Sequence, residues 1–178
     1  GKKIGIIGFG NQGRAQALNL RDSGIDVWIG LREVSSKCQD VENEGFIYKP
    51  IKETVSNCNI ISILVPDQVM GKVYKREIKP YLHDGQTLLF SHCYNIHYNI
   101  IQPPMNVDVI MVAPSGAGSE VRKQYKNGRG IPGLIAVHQD YSGNSFDISL
   151  SYSKAIGLTR LGVFQSTFKE ETETDLFG

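Results

Sequence analysis

Six short stretches carry apolar residues at nearly every position: KIGIIG from Lys3, IDVWIG from Ile25, NIISILV from Asn59, QTLLFS from Gln86, VDVIMVAP from Val107 and GLIAVH from Gly133. None is long enough for a helix. They are rich in Ile and Val, and they are apolar throughout instead of alternating, as strands covered on both faces are. Between them run stretches with a polar face, such as NQGRAQALNLRDSG from Asn11, which Gly24 closes at the expected stop position. Strand and helix in alternation predict an α/β fold: a Rossmann-like, doubly wound, mostly parallel sheet with helices on both faces. No internal repeat or low-complexity segment interrupts the pattern, and IQPPMN is a single proline-stiffened connection.

The first strand runs into GIIGFGNQG, which sets Gly8, Gly10 and Gly13 as G-x-G-x-x-G between a strand and a helix. In that context Gly8 permits a tight turn, Gly10 lets backbone approach a pyrophosphate, and Gly13 lets the helix close on the strand. The helix N-terminus then offers N–H groups to the phosphates. An NAD site would carry Asp or Glu after the second strand, to hold the ribose 2′-hydroxyl. Here that region reads WIGLREVSSK, with Gly30 and Leu31 where the acid would stand. Arg32, Ser35, Ser36 and Lys37 follow; two cations and two hydroxyls suit a 2′-phosphate, so NADPH is expected over NADH. Glu33 opposes that reading unless it points outward, and a solvated surface loop would have a similar composition.

Ligands of open α/β sheets bind beyond the carboxyl ends of the strands. Three predicted strand ends are unusual. SILVPDQVM turns at Pro66, so that Asp67, Gln68, Val69 and Met70 can pass beside a dinucleotide; LLFSHCYN places His92 directly after a buried strand; MVAPSGAGSE follows its strand with Ser115, Gly116 and Gly118. Of the four histidines, His83 reads as a surface turn, His138 as a strand-end hydrogen bonder, and His97 has no distinguishing context. His92 is the catalytic candidate, weighed against a structural role.

Composition narrows the function class. The chain of 178 residues is 40% hydrophobic and 21% charged, with a net charge of +1, which argues against nucleic acid or an anionic membrane as partner. No apolar run approaches the roughly 20 residues that span a bilayer. Cys38, Cys58 and Cys93 form no C-x-x-C pair, and no signal or transit segment is read, so a reduced, cytoplasmic setting is expected.

Taken together, the glycine-rich segment from Ile4 to Arg32, SHCYNIHY, PPMNVDVIMVAP, GRGIPGLIAVHQD and FKEETETDLFG resemble the N-terminal domain of ketol-acid reductoisomerase, the acetohydroxy acid isomeroreductase of branched-chain amino-acid synthesis. The resemblance implies a magnesium-dependent alkyl migration of a 2-acetohydroxy acid (2-acetolactate or 2-aceto-2-hydroxybutyrate), then NADPH reduction to a 2,3-dihydroxy acid. Paired Mg²⁺ ions would act as Lewis acids on the substrate oxygens. Position by position, His92 matches the active-site histidine and Asp175 the carboxylate bridging the metal ions. Phe9, Gly10, Asn11 and Gln12 match the phosphate loop, Arg32 and Ser35 the 2′-phosphate contacts, and Asp67 to Met70 with Gly118 the remaining cofactor segments. Lys37 stands where many members have serine.

The resemblance also implies a domain boundary, with residues 1–166 binding the dinucleotide and 167–178 opening a helical, knotted C-terminal domain. That domain would supply further metal carboxylates, part of the substrate pocket and the contacts of a homodimer or larger oligomer, leaving this part inactive alone. Two departures stand out. Ser115 replaces a lysine, and Cys93 replaces a glycine, at a cost of roughly 1–2 kcal/mol if the backbone there is left-handed. A non-catalytic NADP-binding module and a diverged NADP-dependent dehydrogenase are the rival readings.

Overall fold

The computed structural model describes residues 1–177, and side chains through residue 173. Among these residues an eight-stranded sheet runs in the order β3-β2-β1-β4-β5-β6-β7-β8. The strands are β1 (Lys3–Ile7), β2 (Asp26–Leu31), β3 (Tyr48–Pro50), β4 (Ile60–Ile63), β5 (Thr87–Phe90), β6 (Asp108–Pro114), β7 (Gly133–Gln139) and β8 (Val163–Gln165). All six expected strands are present. Neighbours pair in parallel throughout, except that β7 lies antiparallel to β6. The two strands with no apolar run, β3 and β8, are the sheet's edges, where one side of the strand has no neighbour to demand hydrophobicity.

The continuous apolar runs have a direct cause: successive residues enter opposite cores. Ile6, Ile29, Leu89, Ile110 and Val112 face one layer, while Ile7, Ile61, Ile63, Leu88, Phe90, Val109 and Met111 face the other. The first layer is closed by α1 (Asn11–Asp22) and α7 (Ser145–Ile156), through Leu18, Leu20, Tyr152 and Ile156. The second is closed by α3 (Ile51–Asn57), α4 (Asp67–Val73) with the π-turn that continues it (Tyr74–Ile78), α5 (Tyr94–His97) and α8 (Phe168–Phe177). Each fully buried aliphatic side chain contributes about 1.5–3 kcal/mol. Two further helices, α2 (Cys38–Asn43) and α6 (Gly118–Lys126), lie after β2 and β6. Gly24 ends α1 as expected, with φ +83° and its N–H bonded to the Arg21 carbonyl at 2.9 Å. No described helix is long and apolar enough to cross a membrane.

Candidate functional site

The chain reverses direction across the sheet between β1 and β4, and a cleft of about 550 Å³ opens at their carboxyl ends. The glycine loop forms its floor. Gly8 adopts φ +99° and donates to the Gly30 carbonyl at 3.1 Å; a Cβ there would sit 3.0 Å from the Leu64 carbonyl oxygen. Gly13 would carry a Cβ 2.9 Å from the Gly8 oxygen, so helix and strand close as the motif requires. A Cβ on Gly10, by contrast, would meet nothing within 4 Å, because this glycine faces the open cleft. No side chain caps α1 at Gly10, which leaves the first-turn N–H groups to a ligand.

From that floor the cleft extends in two directions. Toward β2 it is lined by Arg32, Ser35, Ser36 and Lys37, and toward β5 by Ser91 and His92, on the far side of the β1–β4 pair. Glu33 is exposed and does not line it. Lys37 is shared with an exposed Asp40 carboxylate at 3.7 Å, a weak ion pair. Ser35 Oγ accepts the Lys37 N–H at 3.1 Å and shapes the turn. Asp67 and Met70 line the cleft at the start of α4, whereas Gln68 faces the neighbouring hollow beside Lys72, and Val69 lines neither. Gly118 stays outside the cleft. A Cβ on it would run into the Asn11 backbone carbonyl, so its glycine serves the docking of α6 against the start of α1. The apolar wall of Ile51, Ile63 and Val65 was not foreseen as part of the site, since these residues read as ordinary core.

His92 projects from the end of β5 with its side chain 58% exposed, and its Nδ1 lies 3.4 Å from Oε1 of Glu171. Glu171 is 5% exposed, and its second oxygen accepts the Cys93 N–H at 3.0 Å. Phe168 brings this carboxylate into place by burying its ring in the core, 5.1 Å from the His138 ring. In the sequence Glu171 stands in FKEETETDLFG with no role of its own assigned to it. The fold instead sets it against the strand end as an orienting partner of the imidazole. His138 stacks on Phe168, and partial burial lowers its pKa; His83 is exposed in its turn, as expected. The strain considered at Cys93 does not arise: φ is −104°, an ordinary value, and the buried Sγ contacts Met111 Sδ at 2.9 Å. Ser115 is exposed, with its N–H on the Pro132 carbonyl at 2.9 Å.

Asp175, the expected metal ligand, belongs to α8 but its side chain lies outside the described residues. Among the described residues no group of three or more His, Cys, Asp or Glu could hold a metal ion. Magnesium wants around six oxygen ligands, some of them water. The described side chains therefore do not assemble such a site by themselves. A dinucleotide, on the other hand, fits the glycine cradle.

Fold order, glycine loop and cleft place the protein in the Rossmann class of dinucleotide-binding domains. Residues 1–162 match the family model of the acetohydroxy acid isomeroreductase NADPH-binding domain, and the chain belongs to that family. It is 52% identical over 177 residues to the ketol-acid reductoisomerase (NADP(+)) of Methanocaldococcus jannaschii and 53% identical to that of Pyrococcus abyssi. Those alignments cover 99% of this chain and 54% and 53% of the relatives, so the chain spans about half of their length. Among solved structures, an NADH-preferring ketol-acid reductoisomerase from an uncultured archean superposes with a TM-score of 0.97 at 43% identity, over 99% of this chain and 55% of that one.

Proposed function

We propose that this chain is the cofactor-binding part of a ketol-acid reductoisomerase that uses NADPH in reducing a rearranged 2-acetohydroxy acid. One observation supports this above others. The glycine floor lies between a cationic end at Arg32 and an imidazole end at His92, in a single cleft. Bound NADPH would supply a hydride to the substrate ketone. The protein's own part is to hold and orient. The first-turn N–H groups of α1 bind the pyrophosphate, Arg32 and Ser35 bind the 2′-phosphate, and Lys37 adds charge that it shares with Asp40. His92, steadied by Glu171, is placed to hold or deliver a proton at the substrate oxygen.

Residues 1–166 form the dinucleotide domain in this reading, and 167–178 begin the segment that carries the metal ligand Asp175. Magnesium belongs to the proposal on family grounds, since the described side chains do not assemble its site by themselves. The substrate classes, 2-acetolactate and 2-aceto-2-hydroxybutyrate, and a homodimeric or larger assembly stand on the same footing. Three scattered cysteines, two of them buried and none in a C-x-x-C pair, support a cytoplasmic setting.

Calorimetric titration with NADPH and NADH, each with and without Mg²⁺, tests the reading. Tighter binding of NADPH, with little effect of Mg²⁺, is expected. Equal affinities would discard the assignment of Arg32, Ser35 and Lys37 to a 2′-phosphate. Absence of binding by either would discard the cofactor site.

A further inference from the structure

Under the cleft floor, inside a largely apolar layer, five polar side chains from four separate segments join in one hydrogen-bonded chain. Gln16, Ser62, Ser91 and Tyr152 are buried, and Gln12 is half-buried at the start of α1. Ser62 Oγ donates to Tyr152 Oη at 3.1 Å, and Tyr152 Oη donates to Gln16 Oε1 at 2.7 Å. Gln16 Nε2 then donates both to Gln12 Oε1 and to Ser91 Oγ, each at 3.1 Å. Each branch ends on a backbone carbonyl: Gln12 Nε2 donates to Gly116 at 2.9 Å, and Ser91 Oγ to Val112 at 3.0 Å.

Those carbonyl ends fix the direction of every bond. A carbonyl can only accept, so Gln12 must present its amide nitrogen to Gly116 and its oxygen inward, and Ser91 must spend its proton on Val112. Gln16 is then the one group that meets both demands, donating both N–H bonds while its oxygen takes the Tyr152 proton. A flipped Gln16 amide would set its oxygen against Gln12 Oε1 and the Ser91 oxygen and lose both of those bonds. Burial keeps Tyr152 a neutral phenol, with its pKa raised. Because Gln16, Ser62, Ser91 and Tyr152 are buried, a bond broken at one end leaves a polar group stranded.

The chain has two ends of functional weight. Gln12 lies in the loop that would receive the pyrophosphate, and Ser91 is the residue before His92. A shift of Gln12 therefore pulls on Gln16, and through its second N–H on the strand end that carries the imidazole. We propose that Gln16 is a positioning residue that couples occupancy of the dinucleotide cleft at Gln12 to the placement of His92 through Ser91. The coupling rests on the NADPH reading given above.

The test is ¹H–¹³C NMR of the histidine rings in the wild-type protein, Gln16→Met and Ser91→Ala, before and after saturation with NADPH. Calorimetry reports affinity separately, and a cooperative thermal melt confirms folding. The His83 signal, from a turn at the opposite end of β5, serves as internal control. The expected result is that NADPH shifts the wild-type His92 signal. In Gln16→Met the His92 signal should already be displaced without cofactor, and its response to NADPH should fall by half or more while His83 stays in place. Ser91→Ala removes the Ser91 bonds to Gln16 and to the Val112 carbonyl, leaves Gln12, Gln16 and Tyr152 joined, and carries the test if the buried methionine prevents folding. A purely structural role would lower stability without moving His92 selectively. Wild-type His92 positions and NADPH responses in the folded variants overturn the coupling alone. An isotherm without binding in the wild-type protein overturns the cofactor reading and the coupling with it.

Discussion

Glu171 holds the strand end on which His92 stands: one carboxylate oxygen lies 3.4 Å from the imidazole Nδ1 and the other accepts the N–H of the next residue, Cys93, at 3.0 Å. The two residues are 79 positions apart in sequence. Their meeting requires α8 to fold back over the end of β5, and Phe168 anchors it there with 5% exposure.

That arrangement separates two substitutions. Glu171→Ala leaves the buried Cys93 N–H without its acceptor, a loss of about 1–3 kcal/mol. In a domain of this size that corresponds to a fall in Tm of roughly 2–4 °C per kcal/mol. Glu171→Gln keeps an oxygen in reach and should melt nearer the wild type. Scanning calorimetry of the two variants distinguishes a hydrogen-bonding role from simple space filling, under which both would melt alike.

The glycines of the loop should also part company. Gly10→Ala adds a methyl into open space at an ordinary φ of −78°, so stability should change by no more than about 0.5 kcal/mol. NADPH affinity should drop at least tenfold, because the methyl occupies the approach to the pyrophosphate. Gly118→Ala should do the reverse. Its Cβ collides with the Asn11 backbone, and such overpacking costs roughly 1–3 kcal/mol. Melting curves paired with cofactor titration read both effects.

Arg32 faces the cleft while Glu33 does not. Arg32→Gln removes a charge-assisted contact worth about 1.5–3 kcal/mol. NADPH should therefore bind about 10–100-fold more weakly and NADH nearly unchanged. Equal losses for both cofactors would place Arg32 on the pyrophosphate or adenine instead.

His138 supplies a pH signature unrelated to catalysis. His138 remains exposed, and partial desolvation beside Phe168 lowers its folded-state pKa below the ordinary 6.5. The unfolded chain thus binds the proton more readily, and stability rises with pH across the window between the two values. The contribution is complete above pH 6.5 and is lost as pH falls through the folded pKa. His138→Gln should flatten this part of the Tm–pH curve, measured from pH 7.5 down to 5, and leave the neutral-pH Tm nearly unaltered.

Local chemistry suffices for much of this molecule. Ile6 and Ile7 enter opposite cores, so a strand buried on both faces must be apolar at every position, and six strands announce themselves that way. Gly8, Gly10 and Gly13 were likewise legible, because a tight turn, an open approach and a close contact each demand the missing Cβ. Other features depend on partners that local pattern does not contain. The edge strands β3 and β8 exist through one neighbour each, and β7 takes its antiparallel sense from pairing with β6. Gly118 is glycine because Asn11 lies against it, 107 residues earlier in the chain. Glu171 has no role legible in FKEETETDLFG, because the Cys93 N–H and His92 that it meets lie far back in the chain. Backbone pattern is a property of neighbours along the chain; a buried polar group is decided by whichever distant residue the fold brings within hydrogen-bonding reach.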